Sequence, residues 1–137
     1  MLIFLAILAS TVAARPQRHL AWVGVIVGLN GAPTRGELVM YGGLPPNSTY
    51  AQLTQHGDSA GAVRPWLARR GTCADPGPVF GEGTAVPPLR IVADGQAVGK
   101  VTWLIAVPDS SDFHVAVAAS PRDPGRIIAC GDLVLED

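Results

Sequence analysis

The sequence predicts an all-β domain, a two-sheet antiparallel sandwich or flattened barrel of about eight strands. Three observations carry that prediction. Sixteen glycines and twelve prolines fall in clusters at Gly28–Pro33, Gly42–Pro46, Gly57–Gly61, Pro76–Pro88, Asp94-Gly95 and Pro121–Gly125, breaking the chain into short segments. The segments between them are rich in Val, Ile, Leu, Thr and aromatic residues and alternate in polarity with the period of a strand. Beyond the N-terminal apolar run, no stretch keeps a 3.6-residue apolar period long enough for a helix.

In chain order the expected strands are Leu20–Val27, Glu37–Tyr41, Thr49–Gln55, Val63–Arg69, Leu89–Ala93, Lys100–Val107, Phe113–Ala119 and Ile127–Leu135. Lys100–Val107 has the clearest alternation, with Val101, Trp103, Ile105 and Val107 on one face and Thr102, Leu104 and Ala106 on the other. Trp22, Trp66 and Trp103 each lie inside an alternating segment and are expected in the core. The Gly/Pro-rich stretch Ala74–Pro88 reads as a long loop, the kind of segment that often carries function.

The chain of 137 residues has the size of one domain. About half of its residues are apolar and 15% are charged, which excludes an intrinsically disordered chain. The net charge is −1, and the cations are scattered apart from the Arg69-Arg70 pair, so no electrostatic footprint for nucleic acid is present. No apolar run is long enough to cross a bilayer. Leu2–Ala9, followed by Ser-Thr-Val-Ala-Ala, reads as an export signal cleaved near Ala13 or Ala14, although no Lys or Arg precedes the apolar run. Residues 1–14 are therefore expected to be a leader and 15–137 the β domain, placed outside the cell, in the periplasm or at the cell envelope.

Two cysteines, Cys73 and Cys130, lie too far apart for a metal knuckle or a Cys-x-x-Cys redox motif. In an oxidising compartment the simplest reading is a disulfide; in the cytosol both would be buried thiols.

Four segments then carry a family resemblance. They are Arg64-Pro65-Trp66-Leu67-Ala68-Arg69-Arg70-Gly71-Thr72-Cys73, Pro87-Pro88-Leu89 with Ala93-Asp94-Gly95, Val115–Ser120, and Ile128-Ala129-Cys130-Gly131-Asp132-Leu133. Over roughly Val63 to Leu133 their order and spacing resemble a bacterial branch of the copper/zinc superoxide dismutase-like family. The resemblance implies a Greek-key arrangement of the strands and a Cys73–Cys130 disulfide. In that family a Trp-His-x-His-x-Gly-x-Cys stretch supplies two copper ligands and a Val-x-Val-His segment another. Carried onto this chain, the ligand positions fall on Leu67, Arg69 and Ala118. Leu and Ala offer no lone pair and a guanidinium is only a donor, so the expectation is a lost copper site and no cofactor, against the alternative of copper and zinc in a non-standard site. A second register, which puts Gln52 and Thr54 at the ligand positions upstream of His56-Gly57-Asp58, also lacks the histidines and leaves Cys73 too far downstream.

The three histidines, His19, His56 and His114, are spread along the chain. A site gathering them with a carboxylate such as Asp58 is weaker than the plain reading, in which His19 and His56 are solvated. Arg126 resembles the family's anion-attracting arginine with an offset of one residue, so Arg69 and Arg126 form a candidate anion-binding pair, against ordinary surface charge beside Asp123 or Asp132. No nucleophile elbow, zinc-protease motif, phosphate loop or dinucleotide fingerprint is present. Asp109, Ser110, Ser111 and Asp112 near His114 are turn-forming residues before they are a triad, and Asn47-Ser48-Thr49 is both a glycosylation pattern and an Asn-initiated turn. The functional expectation is an exported, non-catalytic domain with a structural or binding role toward a protein or small molecule met by Ala74–Pro88 or a strand edge. The alternative is a dismutase-type metalloenzyme.

Overall fold

The computed structural model describes residues 19–136, so the predicted leader lies outside the described residues. The described chain holds eleven strands and no helix: β1 (Ala21–Gly28), β2 (Arg35–Gly42), β3 (Thr49–His56), β4 (Val63–Arg64), β5 (Trp66–Gly71), β6 (Pro76–Val79), β7 (Leu89–Arg90), β8 (Ala97–Trp103), β9 (Phe113–Ser120), β10 (Asp123–Asp132) and β11 (Val134–Glu136). Nine of them form one curled antiparallel sheet in the order β6-β5-β9-β10-β1-β2-β3-β8, with β11 also paired to β1. β1, β2 and β3 run as a meander, β9 and β10 form a hairpin, and the long connection from β8 to β9 carries the chain across so that β10 lies beside β1. The sheet folds over on itself, so that β1, β2, β3 and β8 face β5, β6, β9 and β10 across one core.

The alternation read from the sequence places that core. On β8, Ala97, Gly99, Val101 and Trp103 point inward while Val98, Lys100 and Thr102 point out. β2 and β3 behave in the same way, burying Leu38 and Met40, and Ala51 and Leu53. All three tryptophans are buried, and two of their indoles find backbone acceptors: Trp22 Nε1 donates to Pro108 O at 2.9 Å and Trp66 Nε1 to Pro87 O at 3.0 Å. Trp66, from β5, crosses the core to lie over Gly99 of β8, where an added Cβ would stand 2.7 Å from its Nε1.

The two ends of the sheet are not joined by hydrogen bonds between strands. Phe80, just past β6, stacks edge-on against Trp103 at the end of β8 with ring centroids 5.1 Å apart, and against Phe113 at 5.6 Å. Gly81 follows with φ of +71°, and any side chain there would overlap the Trp103 ring. Aromatic packing thus closes the open side of the half-barrel.

The structure differs from the sequence expectation at five places, the first being Leu89–Ala93, of which only Leu89–Arg90 forms a strand, paired with β4. Val63–Arg69 is split at Pro65, which ends β4 before β5 begins. Lys100–Val107 stops at Trp103, so Ile105 and Val107 lie in the following loop. Ile127–Leu135 becomes β10 and β11, separated at Leu133, which turns its side chain into the core. Ala74–Pro88 is not wholly loop, because Pro76–Val79 pairs with β5 and Phe80 enters the core.

One polar cluster fastens the end of the barrel opposite Trp103. Asp58, just after β3, accepts Arg64 Nε at 2.9 Å on one carboxylate oxygen and Arg64 Nη2 at 2.8 Å on the other. It also accepts the Ser59 backbone N–H at 2.7 Å and Gln55 Nε2 at 2.9 Å. Arg64 Nη1 donates onward to the carbonyl of Ala119, tying the β3–β4 connection to the end of β9. Both charged side chains are largely buried. Burial pushes the Asp58 carboxyl up, but the Arg64 hydrogen bonds, the Ser59 N–H, the Arg64 charge and Gln55 together hold it below its ordinary value.

A depressed folded-state pKa gives stability that is complete above the unfolded carboxyl value of about 3.9 and is lost as pH falls through the folded value. Urea midpoints measured as a function of pH should therefore drop below about pH 4, and Asp58→Asn should be less stable at neutral pH with a flatter acid limb. An acid limb unchanged in Asp58→Asn would contradict this assignment.

Candidate functional site

The three ligand positions that the resemblance assigns, Leu67, Arg69 and Ala118, meet on the outer face of β5, β9 and β10. β9 is buried along seven of its eight residues. Phe113, Val115 and Val117 face the core, while His114, Ala116 and Ala118 face the opposite way. Antiparallel register then aligns the neighbours. Leu67 of β5 lies opposite Ala116 of β9, which lies opposite Cys130 of β10. One row along, Arg69 lies opposite His114, which lies opposite Asp132. Ala118 faces Ile127. Leu67, Arg69 and Ala118 thus share one face, as alternation requires of residues i and i+2 on one strand and of its paired neighbour.

Each of these groups has a defined environment. Leu67 is 37% exposed, while Ala116 and Ala118 are buried. The Arg69 guanidinium donates through Nε to Gly77 O at 2.8 Å, bracing β6 against β5. His114 is 1% exposed, and its Nδ1 lies 3.0 Å from Gly71 O. A carbonyl only accepts, so Nδ1 carries the proton in this bond. Arg70, next on β5, lies on the other side of the strand with its guanidinium carbon 5.2 Å from the Phe113 ring centroid.

Cys73 and Cys130 form a disulfide, with Cα atoms 6.1 Å apart. It joins the segment after β5 to β10. Asp132 reinforces the junction by accepting the Cys73 N–H at 2.8 Å. Between the disulfide and β9 lies a cleft of about 150 Å³, bordered by Arg69, His114, Pro76, Ile127 and the two cysteines. A smaller hollow of about 60 Å³ adjoins it above Leu67, Ala116 and Ala118. Space of that order holds a few waters or a small ion, not an extended substrate.

The other candidates lie elsewhere. Arg126 is on the strand facing solvent, 3.5 Å from Asp123, with its side chain 70% exposed. It borders a cleft beside Asp58 and Arg64, so Arg69 and Arg126 line different clefts and the structure does not bring them together. His19 and His56 are exposed, and His114 is remote from both in the sheet. Gln52 and Thr54 are on the outer face of β3, across the barrel from β5 and β9. Asp58 is engaged by Arg64. Among the described residues no three His, Cys, Asp or Glu side chains gather as a metal site would need. His114 has a backbone carbonyl as its partner where a triad would place a carboxylate. Asn47 sits exposed at a turn with φ of +55°, the Ser48 hydroxyl donates to Pro45 O at 2.6 Å, and Thr49 opens β3.

Sequence reasoning placed the face but missed the row Arg69–His114–Asp132. Its members come from three strands, and only the registers of β5 on β9 and β9 on β10 align them. Neither a protein-family model nor a curated protein matches this chain.

Proposed function

We propose that the chain is an exported, non-catalytic β domain of the superoxide dismutase-like type whose copper site has been lost, retained for a structural or binding role. The observation that supports this reading is the fate of the three ligand positions that the sequence resemblance assigns. Leu67, Arg69 and Ala118 lie on one outer face beside the disulfide, where imidazoles would converge, and present an alkyl chain, a guanidinium committed to Gly77 O and a buried methyl. None of the three donates an electron pair to a metal. His114 is the one imidazole on this face, and a single ligand does not hold copper through a redox cycle. The disulfide agrees with an oxidising compartment. Binding by this domain falls to its exposed surfaces rather than to a deep pocket on the β5–β9 face.

The test is metal retention. Purified protein incubated with copper and zinc and then dialysed against a chelator is expected to keep no stoichiometric metal and to disproportionate superoxide no faster than free copper. Stoichiometric copper after dialysis, lost in His114→Gln, would overturn the proposal and favour the metalloenzyme reading.

A further inference from the structure

The outer face of β5, β9 and β10 carries one charge that no group of the described chain answers. The cleft beside the disulfide, about 150 Å³, and the hollow above Ala118, about 60 Å³, share Arg69, Ala116 and Ile127 in their walls and so form one shallow groove. Apart from His114, the remaining wall is made of alkyl side chains, prolines, the Trp66 indole and the disulfide, and Arg69 is the one Arg, Lys, Asp or Glu that lines it. Arg69 is half-buried, and the two ion pairs among the described residues, Arg64 with Asp58 and Arg126 with Asp123, leave it out. Its Nε donates to Gly77 O, while neither Nη donates to any group of the described residues. Asp132, beyond His114 in the same row, is not in the groove wall and accepts the Cys73 N–H.

We infer that this groove binds a small monovalent carboxylate with a short alkyl body, its head on the Arg69 Nη groups and its tail over Leu67, Ala116 and Ala118. The inference rests on the reading of this face as a lost metal site and adds the ligand that the replacing residues suit. A half-buried cation without a counter-ion has given up hydration that no protein group replaces, and an anion restores the missing partner. The guanidinium fork meets both oxygens of a carboxylate in one plane. The walls then choose among anions. Phosphate and sulfate are hydrated on every side, and alkyl walls return none of those hydrogen bonds. A carboxylate keeps its charge at one end and gains from burying the other. One guanidinium balances one negative charge, which also favours a monoanion. The space accepts a chain of a few carbons and excludes an extended substrate.

The experiment is a proton NMR titration of the disulfide-intact, chelator-treated protein with sodium butyrate, at fixed pH and with ionic strength held by sodium chloride. His114 lies opposite Arg69 in the strand register and borders the groove, so its ring protons report the site, while the exposed His19 and His56 are internal controls. The His114 signals are expected to shift saturably, with half-saturation at about 1–10 mM butyrate. Inorganic phosphate should need roughly tenfold more. Arg69→Gln is expected to weaken butyrate binding by roughly tenfold or more. Ala118→Leu fills the tail position while keeping the guanidinium and its bond to Gly77 O, and is expected to weaken binding by a similar factor, so the test does not depend on how Arg69→Gln folds. Arg126→Gln, in the other cleft, should titrate like wild type. The inference is overturned by a His114 signal that does not saturate by about 100 mM butyrate or moves no more than those of His19 and His56. Phosphate binding as tight as butyrate, or butyrate affinity unchanged in either groove variant, overturns it too. The protein enters this titration free of metal, so failure here leaves the lost-copper reading standing, and that reading falls only by its own measurement of retained copper.

Discussion

Arg64→Met is expected to lower the unfolding free energy by about 3–5 kcal/mol, the cost of leaving a buried carboxylate without its counter-ion. The size follows from how thoroughly the pair is engaged. Arg64 uses Nε and Nη2 on the two oxygens of Asp58 and Nη1 on the Ala119 carbonyl, so its loss leaves the Asp58 charge with only the Ser59 N–H and Gln55 Nε2 as partners and takes a donor from the Ala119 carbonyl. Gln55, fully buried behind Asp58, already has one side-chain oxygen without a partner. An amide oxygen accepts and cannot replace the lost guanidinium donors. The pairwise part is separable by a double-mutant cycle with Asp58→Leu, in which the double variant should recover much of the loss because no unpaired charge remains. Chemical denaturation at neutral pH measures all four corners. A single-variant loss below about 1 kcal/mol would assign the pair the worth of an exposed salt bridge and contradict its role in fastening β3–β4 to β9.

Removing the disulfide is expected to have an effect of comparable size. Cys73 and Cys130 are separated by 57 positions, and closing a loop of that length restricts the unfolded chain by roughly 4 kcal/mol in the chain-entropy description. The loop contains β6 through β9 and most of β10, so the bridge limits the freedom of nearly half the domain. The native side of the balance adds to this. Asp132 holds the Cys73 N–H, and the bridge roofs the cleft over His114 and Ala116. Cys73→Ser/Cys130→Ser should therefore unfold at a markedly lower denaturant concentration, with a larger m-value than wild type because its unfolded state is more expanded. Equal midpoints for the oxidised and reduced proteins would mean that the bridge stabilises nothing.

Both predictions rest on contacts of very different legibility. The cysteine pair is visible in the sequence, since two lone cysteines in a chain with an export-like N-terminus have few other uses. The Asp58–Arg64 pair is not. The two residues lie six apart in a glycine-rich turn region that reads as solvated loop, and only the return of β9 brings the Ala119 carbonyl over Arg64 and buries them. The strand at Pro76–Val79 was hidden for a related reason. Proline and glycine lower its local β-preference, and its pairing to β5 is supported from outside by Arg69 Nε on Gly77 O and by Phe80 against Trp103.

The candidate site divides along the same line. Alternation alone puts Leu67 and Arg69 on one side of their strand and His114 and Ala118 on one side of theirs, because side chains on a strand repeat every two residues whatever the strand packs against. The inward set Trp22, Leu38, Met40, Leu53, Val101 and Trp103 is readable in the same way, and so is the all-β class. Tertiary structure alone decided which strand lies beside which and in what register. That choice sets Arg69 against His114 and Asp132, separates Arg69 from Arg126, and collects the valines of β1, β2 and β11 into one exposed face. The physical reason is that pairing energy comes from contacts between residues distant in sequence, whereas the two-residue period is a property of the extended backbone itself. A cysteine-stapled β domain can be inferred from the order of its residues; the arrangement of the groups on its two faces follows from the pairing of its strands.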